Sequence, residues 1–132
     1  MSEREDVTEW LRIAYEDYDS ALYLFENKHP KPLEIICYHC QQAVEKVLKA
    51  FLCANNVDIP KTHDTGLLCH QCAELRSEFV DFLENCEEMA VYATQTRYPI
   101  RIEIEEHDAN KALQQASTIY NFVLNKLAEL VS

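Results

Sequence analysis

Residues Ile35 to Phe51 read IICYHCQQAVEKVLKAF, a stretch that admits two readings. Cys37 and Cys40 bracket His39 as a Cys-x-x-Cys pair, and CHQC at Cys69 to Cys72 repeats the arrangement. That spacing occurs in zinc and redox sites. The same letters also carry a helical period. At about 100° per residue, Cys40, Ala43, Val47, Ala50 and Phe51 fall within about 60° of Ile36, and Cys37, Val44 and Leu48 widen the apolar arc. Both cysteines lie inside that arc. His39, Gln42, Lys46 and Lys49 form a contiguous polar strip on the other side, with Glu45 at its margin, so His39 points away from the thiols. In the second pair, Cys72 shares a face with Leu68 and Leu75, and Cys69 lies at its edge. Structural zinc pairs sit on tight turns where two thiolates converge on one ion. A redox pair belongs at a helix N-terminus that follows a strand. Neither context surrounds these pairs. Free cysteine is among the most buried residue types, so the thiols are read as core packing and no metal or cofactor is expected.

Working outward, the chain of 132 residues holds one glycine and four prolines. Its length suits one domain, residues 1–132, with a core large enough to fold without disulfides. Few turn formers in such a length suit a few long helices. The opening MSEREDVTEW is charged and lacks the apolar stretch of a secretion signal, and no apolar run reaches the ~18 residues that span a membrane. A cytoplasmic protein with reduced thiols and no membrane contact is therefore expected. The net charge of -11 opposes non-specific nucleic-acid binding, so no DNA partner is expected and any RNA contact needs a local basic patch.

From Asp6 to Asn27, Val7, Leu11, Ala14, Tyr18, Ala21 and Phe25 recur at helical steps, and Asp6 with Glu9 resembles a capping box. KHPKP at 28–32 breaks the chain before a second helix, Leu33 to Ala54. NNVDIPKTHD is a loop, followed by a short helix from Gly66 to Leu75. Ser77 is a candidate N-cap for a helix that turns Phe79, Phe82, Leu83, Cys86, Met89 and Ala90 to one side. RYPIRIEIEEHD, 97–108, alternates like a strand but has no partner strand, and reads as an extended connection. Asp108 can cap a last helix that buries Ala112, Ala116, Ile119, Val123, Leu127 and Leu130. The whole predicts an all-α fold, an antiparallel up-and-down bundle of four main helices plus a short one.

Five of the 12 basic residues, Lys46, Lys49, Lys61, Arg97 and Arg101, fall in three segments: the polar strip, PKTHD at 60–64 and TRYPIR at 96–101. In an acidic chain that concentration is a candidate anion site. The bland alternative is a solvated helix face, with Thr62 or Asp64 as a cap and His63 filling a corner. In order along the chain stand His39-x-x-Gln42-x-x-Glu45-Lys46-x-x-Lys49-Ala50, then Thr62-His63-Asp64, then Arg97-Tyr98-Pro99. This pattern, with Trp10, Ala14, Asp17 and Ala21 in the opening helix, resembles the HEPN domain family over about residues 7–130. The resemblance implies a helical bundle that commonly forms a homodimer and is often paired with a small nucleotidyltransferase in toxin–antitoxin couples. Some members are metal-independent ribonucleases; others bind nucleotides or have no established activity.

Two functions follow as expectations. In the first, His39, Gln42, Lys46, Lys49, Lys61, His63 and Arg97 receive a phosphate, a nucleotide, RNA or a partner group. In the second, the ribonuclease pattern of an Arg followed a few residues later by a His falls on Arg101 and His107. There a His moves a proton at a ribose oxygen while an Arg steadies the phosphate. The acidic setting EIEEHD opposes the second reading, because neighbouring carboxylates repel RNA and favour a protonated imidazole.

Overall fold

The computed structural model of the chain describes residues 3–94 and 103–131, and among them every regular element is helical. The α-helices are α1 (Glu3–Asn27), α2 (Leu33–Ala54), α3 (Thr65–Leu75), α4 (Leu83–Met89) and α5 (Glu106–Leu130). Short 3-10 segments, Ser77–Phe82 and Ala90–Ala93, flank α4. No helix among the described residues is long and apolar enough to cross a membrane.

Directions follow from which residues meet. Asp17 and Trp10 of α1 meet His39 and Lys49 of α2 respectively, so the two helices run antiparallel. The Tyr15 and Tyr120 rings meet at a tilt, with centroids 6.3 Å apart, while Tyr18 and Leu22 line a groove with Leu113 and Ser117; α1 thus also opposes α5. Glu78 pairs with Lys126, Phe82 packs on Phe122 and Lys111 reaches Glu88. The column of α4 and its flanking 3-10 segments therefore runs against α5. The result is an up-and-down arrangement with α3 as the short addition, as the sequence predicts.

α2 is the axis of the core. Ile36, Cys37, Cys40, Val44, Val47, Leu48, Phe51 and Leu52 are all buried, and they meet Ala14 and Ala21 of α1, Phe79, and Ala109, Ala116, Ile119 and Val123 of α5 in one cluster.

Three local expectations are corrected. α1 begins at Glu3 and runs through the proposed cap at Asp6; Glu and Arg are good helix formers, and acids suit a helix N-terminus. Glu9 pairs with Arg12. The single helix expected from Ser77 is broken. In a 3-10 turn, side chains three apart eclipse, which brings Phe79 and Phe82 together onto Phe122, at centroid distances of 5.0 and 4.8 Å. α5 starts before Asp108, which caps from its third position. Its carboxylate accepts from the Glu105 N–H at 2.9 Å, while Glu105 caps in return. Of the expected extended connection, Glu103 to Glu105 are non-helical and 97–102 lie outside the described residues.

Candidate functional site

Asp64 is the N-cap of α3, its carboxylate accepting from the N–H groups of Gly66 and Leu67 at 2.9 and 3.2 Å. Thr62 accepts from the Asp64 N–H at 3.1 Å. These two turns set the end of the 55–64 loop against α2. The side-chain amide of Gln41, itself 0% exposed, then donates to the His63 carbonyl at 2.7 Å. The His63 ring lies with Nδ1 3.0 Å from Glu45 Oε1.

Glu45 is the centre of this arrangement. Its side chain is 1% exposed, and Lys49 Nζ donates to Oε2 at 3.0 Å. Lys46 Nζ stands 3.8 Å from the same oxygen and donates to Gln42 Oε1 at 2.7 Å. Gln42 in turn donates to Gln41 Oε1 at 2.7 Å. The ammonium of Lys49 also faces the Trp10 ring, 5.6 Å from its centroid, a cation–π contact. Burial alone would raise the Glu45 carboxyl, but the hydrogen bonds from Lys49 and His63 and the charge of Lys46 hold it below its ordinary range. A solvated strip is therefore not what α2 presents: Gln41, Gln42, Glu45 and Lys49 are buried, while Lys46 is partly exposed and the His63 side chain is 69% exposed.

His39 belongs to a second pair. Its Nδ1 lies 2.9 Å from Asp17 Oδ1, joining α2 to α1. Lys61 is exposed and is not among the residues gathered on Glu45. Arg97 and Arg101 lie outside the described residues. His107 sits in the first turn of α5, its side chain 76% exposed, with Nδ1 3.5 Å from Glu105 and Nε2 3.4 Å from Asp108. Three residues that complete the site, Gln41, Glu45 and Asp17, were not among the predicted ligands, although Glu45 and Asp17 are in the motif.

The cysteines pack as the helical period predicts. Cys37, Cys40, Cys69, Cys72 and Cys86 are buried, and Cys53 is partly buried. Cys72 donates to the Leu48 carbonyl and Cys69 to that of Phe79. Burial pushes the Cys37 thiol up to about 12 and raises Cys40 and Cys72 as well, so these are poor thiolates. Among the described residues, no group of three or more His, Cys, Asp or Glu is placed to hold a metal ion.

Comparison with known proteins agrees with this architecture. The family model of the HEPN domain matches residues 7–127. The crystal structure of ST0689, an archaeal HEPN homologue, superposes with a TM-score of 0.70 at 23% identity, over 92% of this chain and 97% of that one. At that identity the likeness is one of fold. No curated protein matches the chain. With the family model covering nearly the whole length, from the start of α1 to the last turns of α5, the chain belongs to the HEPN domain family.

Proposed function

We propose that this chain is a cytoplasmic binding component of a two-protein system, a homodimer that pairs with a nucleotidyltransferase-type partner and receives an anionic group at the Glu45 network. The group is the phosphate of a nucleotide or of RNA, or an acidic group of the partner. One observation carries the reading. In a chain of net charge -11, two ammonium groups, Lys46 and Lys49, converge on the single carboxylate of Glu45. Of the two, Lys46 is the more exposed, its side chain at 17% against 8% for Lys49. An oriented, partly desolvated ammonium attracts an anion more strongly than one free in water. Gln42 orients Lys46.

Calorimetric titration with ATP and with a short RNA at moderate salt tests the site. Binding of one of them, weakened about tenfold or more by Lys46→Ala, is expected, a loss of about 1.4 kcal/mol. Absence of binding by both ligands removes the anion site. Co-purification of the tagged chain from its native cells tests the pairing: the expected result is a stable complex with a nucleotidyltransferase-type protein, and recovery of the chain without one removes that partner. Sedimentation should give twice the 15.4 kDa chain mass; a monomer at all concentrations removes the homodimer.

The alternative is a metal-independent endoribonuclease toxin that uses Arg101 and His107. His107 is exposed, which leaves it open to an incoming substrate. Both its ring nitrogens lie near carboxylates, which favours the binding reading. RNA cleavage in EDTA, abolished in His107→Ala, would establish the alternative; equal activity in that variant removes it.

A further inference from the structure

We infer that Cys69 and Cys86 form a redox-active pair, which hydrogen peroxide converts to a disulfide tying α3 to α4 and which a small thiol releases. The pair stands apart from the anion site proposed above.

The spacing of the cysteines along the chain points to other partners. Cys37 with Cys40, and Cys69 with Cys72, each share one helix. Residues three apart on a helix hold their Cβ atoms about 5–6 Å apart, beyond the about 3.5–4.5 Å that a disulfide spans. Neither motif can close without unwinding its helix. Across the α3–α4 junction the situation differs, because the thiols of Cys69 and Cys86 are hydrogen-bonded to each other. The two backbones are drawn together one turn earlier. Thr65, on the same face of α3 as Cys69, donates its hydroxyl to the Cys86 carbonyl at 2.6 Å. A Cβ on the adjacent Gly66 would stand 3.2 Å from the Glu87 Cα. A disulfide needs such an approach, since its Cα atoms lie about 4.4–6.8 Å apart.

The two sulfurs are not equivalent. The hydrogen bond from Cys86 lowers the Cys69 thiol below its ordinary value although burial opposes it; the same contact and burial raise Cys86. Cys69 is therefore the attacking sulfur and Cys86 the resolving one. The Cys69 thiolate attacks one peroxide oxygen and the O–O bond breaks. The departing hydroxide takes the proton that Cys69 gave up and leaves as water. The Cys86 sulfur then attacks the sulfenic sulfur, so that the S–S bond forms as the S–O bond breaks, and a second water carries off the Cys86 proton. The thiols lose two electrons and the peroxide gains them. Both cysteines are wholly buried, so the oxidant enters by local opening. The seven-residue α4, set between two 3-10 segments, is suited to that. An open groove of about 470 Å³ also follows its junction with α3, lined by Gly66, Leu67 and His70 on one side and Leu83 and Glu87 on the other. In a reducing compartment the bond is transient, as in redox sensing.

The test treats the folded, reduced protein with hydrogen peroxide, blocks the remaining thiols and maps the peptides by mass spectrometry, with sequencing of linked fragments to separate Cys69 from Cys72. The expected product has lost two hydrogen atoms, links Cys69 to Cys86 and reverts in dithiothreitol. A link within either Cys-x-x-Cys pair, or sulfinic and sulfonic acids with no link, overturns the inference in the wild-type protein alone. Cys72→Ala should keep the link, whereas Cys86→Ala should leave a sulfenic acid on Cys69 that dimedone traps; a link that survives in Cys86→Ala overturns the assignment of the resolving thiol. The urea midpoint of the oxidised wild-type protein should rise and return on reduction. An unchanged or lower midpoint overturns the fastening of α3 to α4.

Discussion

Replacing Glu45 by alanine leaves the ammonium of Lys49, 6% exposed, without its carboxylate. The expected cost is about 3–5 kcal/mol in urea unfolding, because an uncompensated buried charge remains. Removing both members, as in Glu45→Leu with Lys49→Met, should restore much of that loss. The same carboxylate sets a pH dependence. Its folded value lies below the ordinary 4.5, so its contribution is complete above about 4.5 and is lost as pH falls through the lower folded value. The urea midpoint of the wild-type protein should drop on acidification below that point, and Glu45→Gln should flatten this part of the curve. Among the thiols, Cys53 is the least buried and should be alkylated first in the native protein, with Cys37, Cys40 and Cys72 modified only on unfolding.

At the scale of elements, the only glycine marks a close approach. A Cβ on Gly66 would lie 2.8 Å from Glu87 Cγ and 3.2 Å from Glu87 Cα, where α3 passes α4. Gly66→Ala should destabilise by about 1–2 kcal/mol, since overpacking outweighs the helix-propensity gain. Glu87→Ala in the same chain should recover part of it. At the start of α5, Asp108→Ala removes one half of the reciprocal cap and should cost about 1 kcal/mol in thermal or urea unfolding. These elements were legible to different degrees. The bounds of α2 could be read because prolines precede it and Asn55-Asn56 follow; Asn56 takes the left-handed conformation, φ 60°, that suits asparagine. The break at Ser77–Phe82 could not be read, because the apolar spacing there fits one helix, and the tighter turn is imposed by where Phe51 and Phe122 stand. Glu45 was harder still. On a helical wheel it falls about 180° from Ile36, opposite the apolar arc. Only the 55–64 loop and Trp10 of α1, arriving from elsewhere in the chain, turn that polar strip into an interior.

Across the whole molecule, α2 is enclosed by apolar packing on one side and by a polar network on the other. Its amides should be the slowest to exchange with solvent. The 3-10 segments at Ser77–Phe82 and Ala90–Ala93, which are short and lie partly at the surface, should open first. Hydrogen exchange resolved by residue checks the order, and uniform protection across α2 and these segments would contradict it. The family assignment belongs to this scale as well. It came within reach because three short motifs kept their order along one chain, whereas the identity of the ligand does not follow from the fold.

The enclosure of α2 has one more consequence. An oily surface alone tolerates sliding: a helix displaced by one turn, about 5.4 Å, still offers apolar residues to its neighbours. The polar pairs do not. Such a slip would part Asp17 from His39, Trp10 from Lys49 and Glu45 from His63 at once. The buried polar residues thus serve as a key for the register of the bundle, admitting one alignment of its helices among those that hydrophobicity alone would accept.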